Sequence, residues 1–374
     1  MSVAAQEPRS PSSEHTAPTI DAAVHVMPAS KDEFAAYLPE PWRSRVFPGP
    51  ETYHYSLAVG EYRPETRIGG GLPASDPSVV ASHVLDEFGA DYAVLLPLTR
   101  GLHPNANLAT AICRATNEWL ADRWLGSQGQ TARFRGTIRI EPRDPEAAVA
   151  EIERWAGHPR MVQVAVPTQS LEPYGRPRFL PIWRAAARHG LPVVVHTDGG
   201  AGADFPPTAA GYLRLGVEYH TLAPLNYGFH LASLIAEGAF EWVDDLVFVF
   251  ADGGFDLLWP LVWRMDKDWK GNRDEVPGAK RPPSEYAQTR VRFLAHRLEG
   301  PRDEREYKAW LRGLPEPADL LLFGSNYPHW DAWEPADARS RFPDDMRGAV
   351  MGGNAARLYS VASGEPLRGN QQGG

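Results

Sequence analysis

The sequence predicts an α/β fold, a closed (β/α)8 TIM barrel, and three observations point to it. Eight short runs rich in β-branched and aromatic residues recur along the 374 residues. Segments with helical apolar spacing alternate with them, the pattern of consecutive β–α–β units. Several runs, Val193-Val194-Val195 among them, are apolar throughout rather than alternating, as strands covered on both faces must be. With 43% hydrophobic residues, the chain has enough apolar surface for a core of that size.

Strands are expected at residues 19–26, 92–96, 134–140, 161–166, 192–196, 246–251, 291–294 and 320–324. Helices are expected at 105–125, 145–156, 181–189, 222–237 and 257–269. No G-x-G-x-x-G follows the first strand, which disfavours an open dinucleotide-binding sheet. The run Gly69-Gly70-Gly71 lacks the Lys-Ser/Thr of a phosphate loop. Residues 39–77 show no sustained period and are rich in Pro, Gly and Arg. A connection that long is either a flap over the barrel mouth or a solvated insertion. Residues 270–281 form a second irregular stretch. One barrel domain over 19–360 is expected, between a leader at 1–18 and a polar tail at 361–374. The leader is rich in Ser, Pro and Glu and lacks the apolar stretch of a secretory signal. Both ends read as disordered.

Composition narrows the function classes. A net charge of −9 disfavours nucleic acid or an anionic membrane as partner, since both need a basic surface. No apolar run approaches the roughly 20 residues of a membrane span. The single cysteine, Cys113, excludes an internal disulfide framework and fits a reducing cytoplasm. It sits in the helical stretch Leu108-Ala109-Thr110-Ala111-Ile112-Cys113, where a packed core thiol is the expectation. The 12 Trp are expected mostly at helix surfaces and subunit contacts. The expectation is a cytoplasmic protein, and the polar groups that end its strands make it an enzyme for a small-molecule substrate.

Catalytic groups of a parallel barrel come from the carboxyl ends of its strands. His25, His196, Asp252 and Asn326 stand at such ends, on strands one, five, six and eight. Ala23 and His25 are two apart and therefore share a strand face. An X-x-His pair there, with a later His and a final Asp, can surround a divalent ion. For any one of these residues a structural role serves equally well; four at corresponding positions argue together. His220, ahead of the helix at 222–237, is either a substrate contact at the mouth or a helix cap. His329, just past strand eight, either orients Asn326 or fixes its loop. His230 is expected in the core, and Arg264 with Asp266 as an ion pair at a helix or subunit contact. His54, His103, His158 and His189 are given no role.

A set of longer motifs adds to this reading. They are Ile20-Asp21 leading to His25, Gly190-Leu191-Pro192-Val193-Val194-Val195-His196-Thr197 and Glu218-Tyr219-His220-Thr221. Further ones are Glu237-Gly238-Ala239-Phe240, Asp252-Gly253-Gly254, Trp263-Arg264-Met265-Asp266 and Phe323-Gly324-Ser325-Asn326-Tyr327-Pro328-His329. In these the chain resembles the amidohydrolase-related family that includes aminocarboxymuconate-semialdehyde decarboxylase, resorcylate-type decarboxylases and metal-dependent hydrolases. The resemblance spans residues 19–359 and implies a TIM barrel of the metal-dependent hydrolase type. It implies metal-ligand positions at Ala23, His25, His196 and Asn326, a proton-transfer group at Asp252, and homodimers or larger assemblies.

Two of those ligand positions depart from the family pattern. A methyl group cannot coordinate, and an amide oxygen carries no formal charge. Each adjacent carboxylate lost removes several kcal/mol from a dication, at about 4 Å and an effective dielectric of about 20. His25 and His196 remain as candidate ligands, and a tightly held ion such as zinc becomes the less favoured outcome. Without it no bound water is acidified toward neutral pH. The favoured expectation is an acid–base pocket of Asp252, His196 and His25, with His220, Asn326 and His329 as substrate contacts. It would catalyse decarboxylation, rearrangement or cyclisation of a small aromatic or unsaturated carboxylic acid, independently of metal. The alternatives are a metal-dependent hydrolase with Asp252 as substitute ligand, and a catalytically inactive scaffold.

Overall fold

The computed structural model describes residues 17–44, 62–68, 71–99, 102–126, 128–197, 211, 214–251, 253–296 and 298–361. Eight parallel strands run in sequence order, β1-β2-β3-β4-β5-β6-β7-β8. They are β1 Ile20–Val26, β2 Tyr92–Pro97, β3 Phe134–Arg139, β4 Met161–Pro167, β5 Val193–His196, β6 Phe248–Phe250, β7 Val291–Leu294 and β8 Leu321–Leu322. The ring closes through backbone bonds between the first and last strands. Ala22 N donates to Phe323 O at 2.9 Å, and His25 N to Tyr327 O at 2.7 Å. The predicted TIM barrel is the observed fold, and each expected strand is present. The eighth is shorter than the span 320–324, because Phe323 N turns aside to donate to Val350 O.

Side chains sort into two layers. Val193 and Val195 point outward into the large core under the helices, whereas Val194 lies in the inner cluster with Val94, Leu96, Ala165, Val249 and Leu294. Period-two alternation therefore places His196 on the lumen side with Val194. On β1 the pairing steps from Asp21↔Ala93 to Val24↔Leu95. The extra residue is a bulge at Ala22-Ala23, where both methyl groups join the inner cluster. Beneath it Asp21, fully buried, accepts from the backbone N–H of Ala23 at 3.1 Å and of Ser325 at 2.8 Å. One carboxylate thus staples β1 to the loop after β8. Burial pushes its pKa up to about 6, against the lowering effect of those hydrogen bonds.

The helices follow local signals. Asn105 caps α1 (Ala106–Arg123) by accepting from Leu108 N, and Asp144 caps α2 (Pro145–Trp155) by accepting from Ala147 N. The helix expected at 222–237 is instead two, α3 (Gly216–Leu222) and α4 (Leu225–Ala236). Pro224 breaks them, since it has no N–H to donate and its ring crowds the preceding turn. His220 consequently lies inside α3 rather than ahead of a helix. Helix α5 (Phe255–Gly271) extends the span expected at 257–269 at both ends. In it Arg264 pairs with Asp268 at 2.9 Å, one helical turn on, while Asp266 accepts from Ser284 N. The expected Arg264–Asp266 pair is thereby corrected. Cys113 is buried and unbonded to another cysteine, as expected of a core thiol.

The described part of the 39–77 segment is docked. Met27 N donates to Ala74 O at 3.1 Å, and Arg63 N to Pro328 O at 3.0 Å. The expected leader and tail fall, apart from residues 17, 18 and 361, outside the described residues.

Candidate active site

The mouth of the barrel gathers imidazoles. The His25 and His196 ring centroids lie 4.7 Å apart, and His329 meets His25 edge-on at 5.5 Å. Tyr62, returning from the long segment after β1, tilts over His329 at 5.0 Å. The backbone positions this ladder: Tyr62 and His329 form an antiparallel bridge, and Asn326 N donates to Ala23 O at 3.1 Å. His25, His196 and Asn326 are all buried. Asn326 adopts φ +61°, a left-handed conformation that asparagine tolerates better than most residues.

Hydrogen-bond polarity at His25 is informative. Its Nδ1 lies 3.1 Å from the carbonyl oxygen of Leu96, which can only accept, so Nδ1 carries the hydrogen there. Its Nε2 lies 2.9 Å from Asn326 Oδ1. Asn326 Nδ2 in turn donates to Asp331 Oδ1 at 3.3 Å. The Asp331 Oδ2 atom is 3.6 Å from His296 Nε2. A polar chain therefore runs from β2 through His25, Asn326 and Asp331 to His296, just beyond β7.

Among the described residues, this donor set does not fit a tightly held dication. The Nε2 of His25, the nitrogen left for a metal once Nδ1 is bonded, is engaged by a neutral amide. Ala23 offers a methyl packed toward Gly324, where an added Cβ would sit 2.9 Å from it. Among the described residues no group of three or more His, Cys, Asp or Glu is arranged to hold a metal.

The expected site residues fare unequally. His25, His196, Asn326 and His329 are brought together. Asp252 lies outside the described residues, between Ala251 and Gly253, which takes φ 86°. His220 is placed only by its backbone, its side chain lying outside the described residues. His230 is in the core as expected, its Nε2 donating to Thr168 O at 2.8 Å and its ring stacked on Tyr174. Burial lowers its pKa to about 4. Sequence reasoning missed Tyr62, Asp331 and His296. The strand-end rule that found His196 also points to His296, two residues beyond Leu294. Nothing local marks Tyr62 or Asp331, which arrive by chain return.

Comparison with known proteins agrees with the fold and motifs. The amidohydrolase family model matches residues 20–361. The chain belongs to the amidohydrolase family. It is an enzyme of the lyase or hydrolase kind found there. Its structure resembles an amidohydrolase from Mycobacterium avium subsp. paratuberculosis, with TM-score 0.68 and 20% identity over 93% of this chain and 99% of that one. It also resembles dihydroxybenzoic acid decarboxylase from Polaromonas sp. JS666, which has bound manganese and an inhibitor, 2-nitroresorcinol. There the TM-score is 0.62 at 19% identity, covering 94% and 99%. For 5-carboxyvanillate decarboxylase from Sphingomonas paucimobilis the TM-score is 0.60 at 21% identity, covering 92% and 99%. At these identities the likeness is one of fold. A search of curated proteins gave no match. Among the described residues no helix is long and apolar enough to cross a membrane.

Proposed function

We propose that this amidohydrolase-family enzyme performs non-hydrolytic acid–base chemistry, foremost decarboxylation, on a small aromatic or unsaturated carboxylic acid, without a metal. The observation that carries the reading is the occupation of His25 Nε2 by the neutral Asn326 amide beside the Ala23 methyl. Lewis-acid activation of water needs charged or free donors at those positions. Aromatic-acid decarboxylases among the structural neighbours support the same substrate class. In this reading His25 and His196 move protons, Asp252 accepts one, and His220, Asn326 and His329 hold the substrate. For a hydroxylated aromatic acid, a proton is delivered to the carbon bearing the carboxylate. The bond to that group then breaks, its electron pair restores the ring, and carbon dioxide leaves. The domain is taken to span residues 19–360, acting as a cytoplasmic homodimer with no nucleic-acid or membrane partner.

The test is carbon dioxide release from a panel of hydroxylated benzoic acids and unsaturated diacids by protein purified without chelator, with elemental analysis of the same sample. Turnover with little bound metal is expected, falling by about 10²–10⁴ in His25→Asn and His196→Asn. Stoichiometric zinc or manganese, with activity abolished by its removal, would sink the metal-free reading, and metal-dependent hydrolysis without carbon dioxide release would establish instead the hydrolase with Asp252 as substitute ligand. No turnover on any substrate, and a pathway indifferent to Asp252→Ala, would leave the scaffold.

A further inference from the structure

We infer that Arg139, at the end of β3, is the residue that takes up the carboxylate of the substrate in the barrel mouth. The inference deepens the proposed function and rests on it for the class of ligand.

Arg139 stands between Ile138 and Ile140, which both lie in the outer core. Alternation therefore sends its side chain into the lumen. Its height there follows from the strand register. The row of paired residues through Arg139 passes Ala165, Val194, Val249 and Arg292 on the next four strands. In a closed barrel of this kind, the level ring gains about one residue per strand on such a row. Two strands on, Val194 gives way to His196; four strands on, Arg292 gives way to His296. Counted backward through Val94↔Arg135 and Pro97↔Val26, the level residue on β1 is His25. Alternate strands contribute to one layer of side chains, so His25, Arg139, His196 and His296 share a layer. The 4.7 Å between the His25 and His196 rings agrees with this. All four are buried, and none of the four is acidic. The layer suits an anion.

The surroundings hold Arg139 in place. Asn117 on α1 accepts from Arg139 N at 2.7 Å and donates to Arg139 O at 2.9 Å. The same amide donates to Glu151 on α2 at 2.9 Å, which pins the end of β3 to two helices. Arg139 Nη2 donates to Thr99 O at 3.0 Å, just past β2, and so orients the head. A guanidinium presents its N–H donors in a rigid fork that matches the two oxygens of a carboxylate. Such charge-assisted bonds are strong, and stronger where water is excluded. An acid seated on Arg139 lies in the layer of the two imidazoles that the acid–base reading uses.

The experiment compares benzoate with benzamide, its uncharged counterpart, by calorimetric titration of the full chain. Neither probe has the ring hydroxyl of the acids in the turnover panel. The native protein is expected to bind benzoate more tightly than benzamide by about tenfold or more. Arg139→Met should abolish that preference by weakening benzoate alone. A residue that only braced β3 would weaken both probes alike. Arg139→Lys keeps the charge but loses the fork, and should keep part of the preference. A native protein that binds benzoate no better than benzamide would overturn the inference. So would a folded Arg139→Met protein that keeps the native preference or weakens both probes equally. If Arg139→Met fails to fold, Arg139→Lys makes the comparison, and an undiminished preference overturns the inference. The outcome is separable from that of the proposed function. A carboxylate preference carried by Arg139, without carbon dioxide release from any acid, sustains this inference and sinks decarboxylation. Carbon dioxide release with no carboxylate preference does the opposite.

Discussion

A methyl stands at position 23 and an amide at 326 in the mouth of this barrel. Among the described residues, rings crowd the lumen there: His196, His25, His329 and Tyr62 stand within 4.7–5.5 Å of one another in succession. Gly324, opposite Ala23, has no side chain to block a larger residue at 23. The double change Ala23→His with Asn326→Asp is therefore expected to raise bound zinc or manganese from well below stoichiometric to stoichiometric, by elemental analysis. In its metal-free form the same variant should be less stable, because the new carboxylate would face Asp331. Like charges at about 4 Å cost about 1–4 kcal/mol, depending on exposure. A thermal-shift measurement with and without metal checks this. Unchanged metal content in the folded variant would show that these two residues do not set metal binding.

At the scale of elements, the closing seam between β1 and β8 holds the geometry. Asp21 accepts the Ser325 N–H across it and the Ala23 N–H on its own strand, and Asn326 N reaches Ala23 O beside it. Asp21→Ala leaves both donors buried without an acceptor. The cost is expected at about 2–4 kcal/mol in denaturant unfolding, with loss of order in the 325–333 loop. Asp21→Asn keeps an acceptor oxygen and should cost far less. Strand existence was legible because apolar period and turn residues are local properties; strand ends were less so, as Phe323 shows by leaving β8 for Val350. The misread helix at 222–237 has a local explanation too: its apolar spacing continues across Ala223-Pro224, and only the proline marks the break.

For the whole molecule, two buried groups set opposing dependences of stability on pH. Asp21 keeps its proton to about pH 6 in the fold but would lose it near 4 when unfolded. Between those values the native state binds more protons, so stability falls as pH rises. His230, held neutral down to about pH 4, does the reverse. The unfolded imidazole takes up a proton below about 6.5, so stability is lost as pH falls from there toward 4. Each effect is on the order of 3 kcal/mol over its window, and between pH 4 and 6 they offset. Asp21→Asn should expose the histidine slope, with stability rising through that range. His230→Asn should expose the opposite slope. Urea midpoints at half-unit pH steps give the comparison, and parallel curves for both variants and the parent would refute the assignment.

The sequence by itself determined the barrel, the strand-end placement of His25, His196 and Asn326, and the departure at positions 23 and 326. These follow from local periodicity and from residue types at strand termini. Only the tertiary structure decided that the β1 bulge turns Ala23 inward, that Asn326 engages His25, and that Asp331, His296 and Tyr62 complete the mouth. Those contacts join residues that loop return and barrel closure bring together. No pattern along the chain records them, because hydrogen-bond partners are chosen in space after the strands have closed.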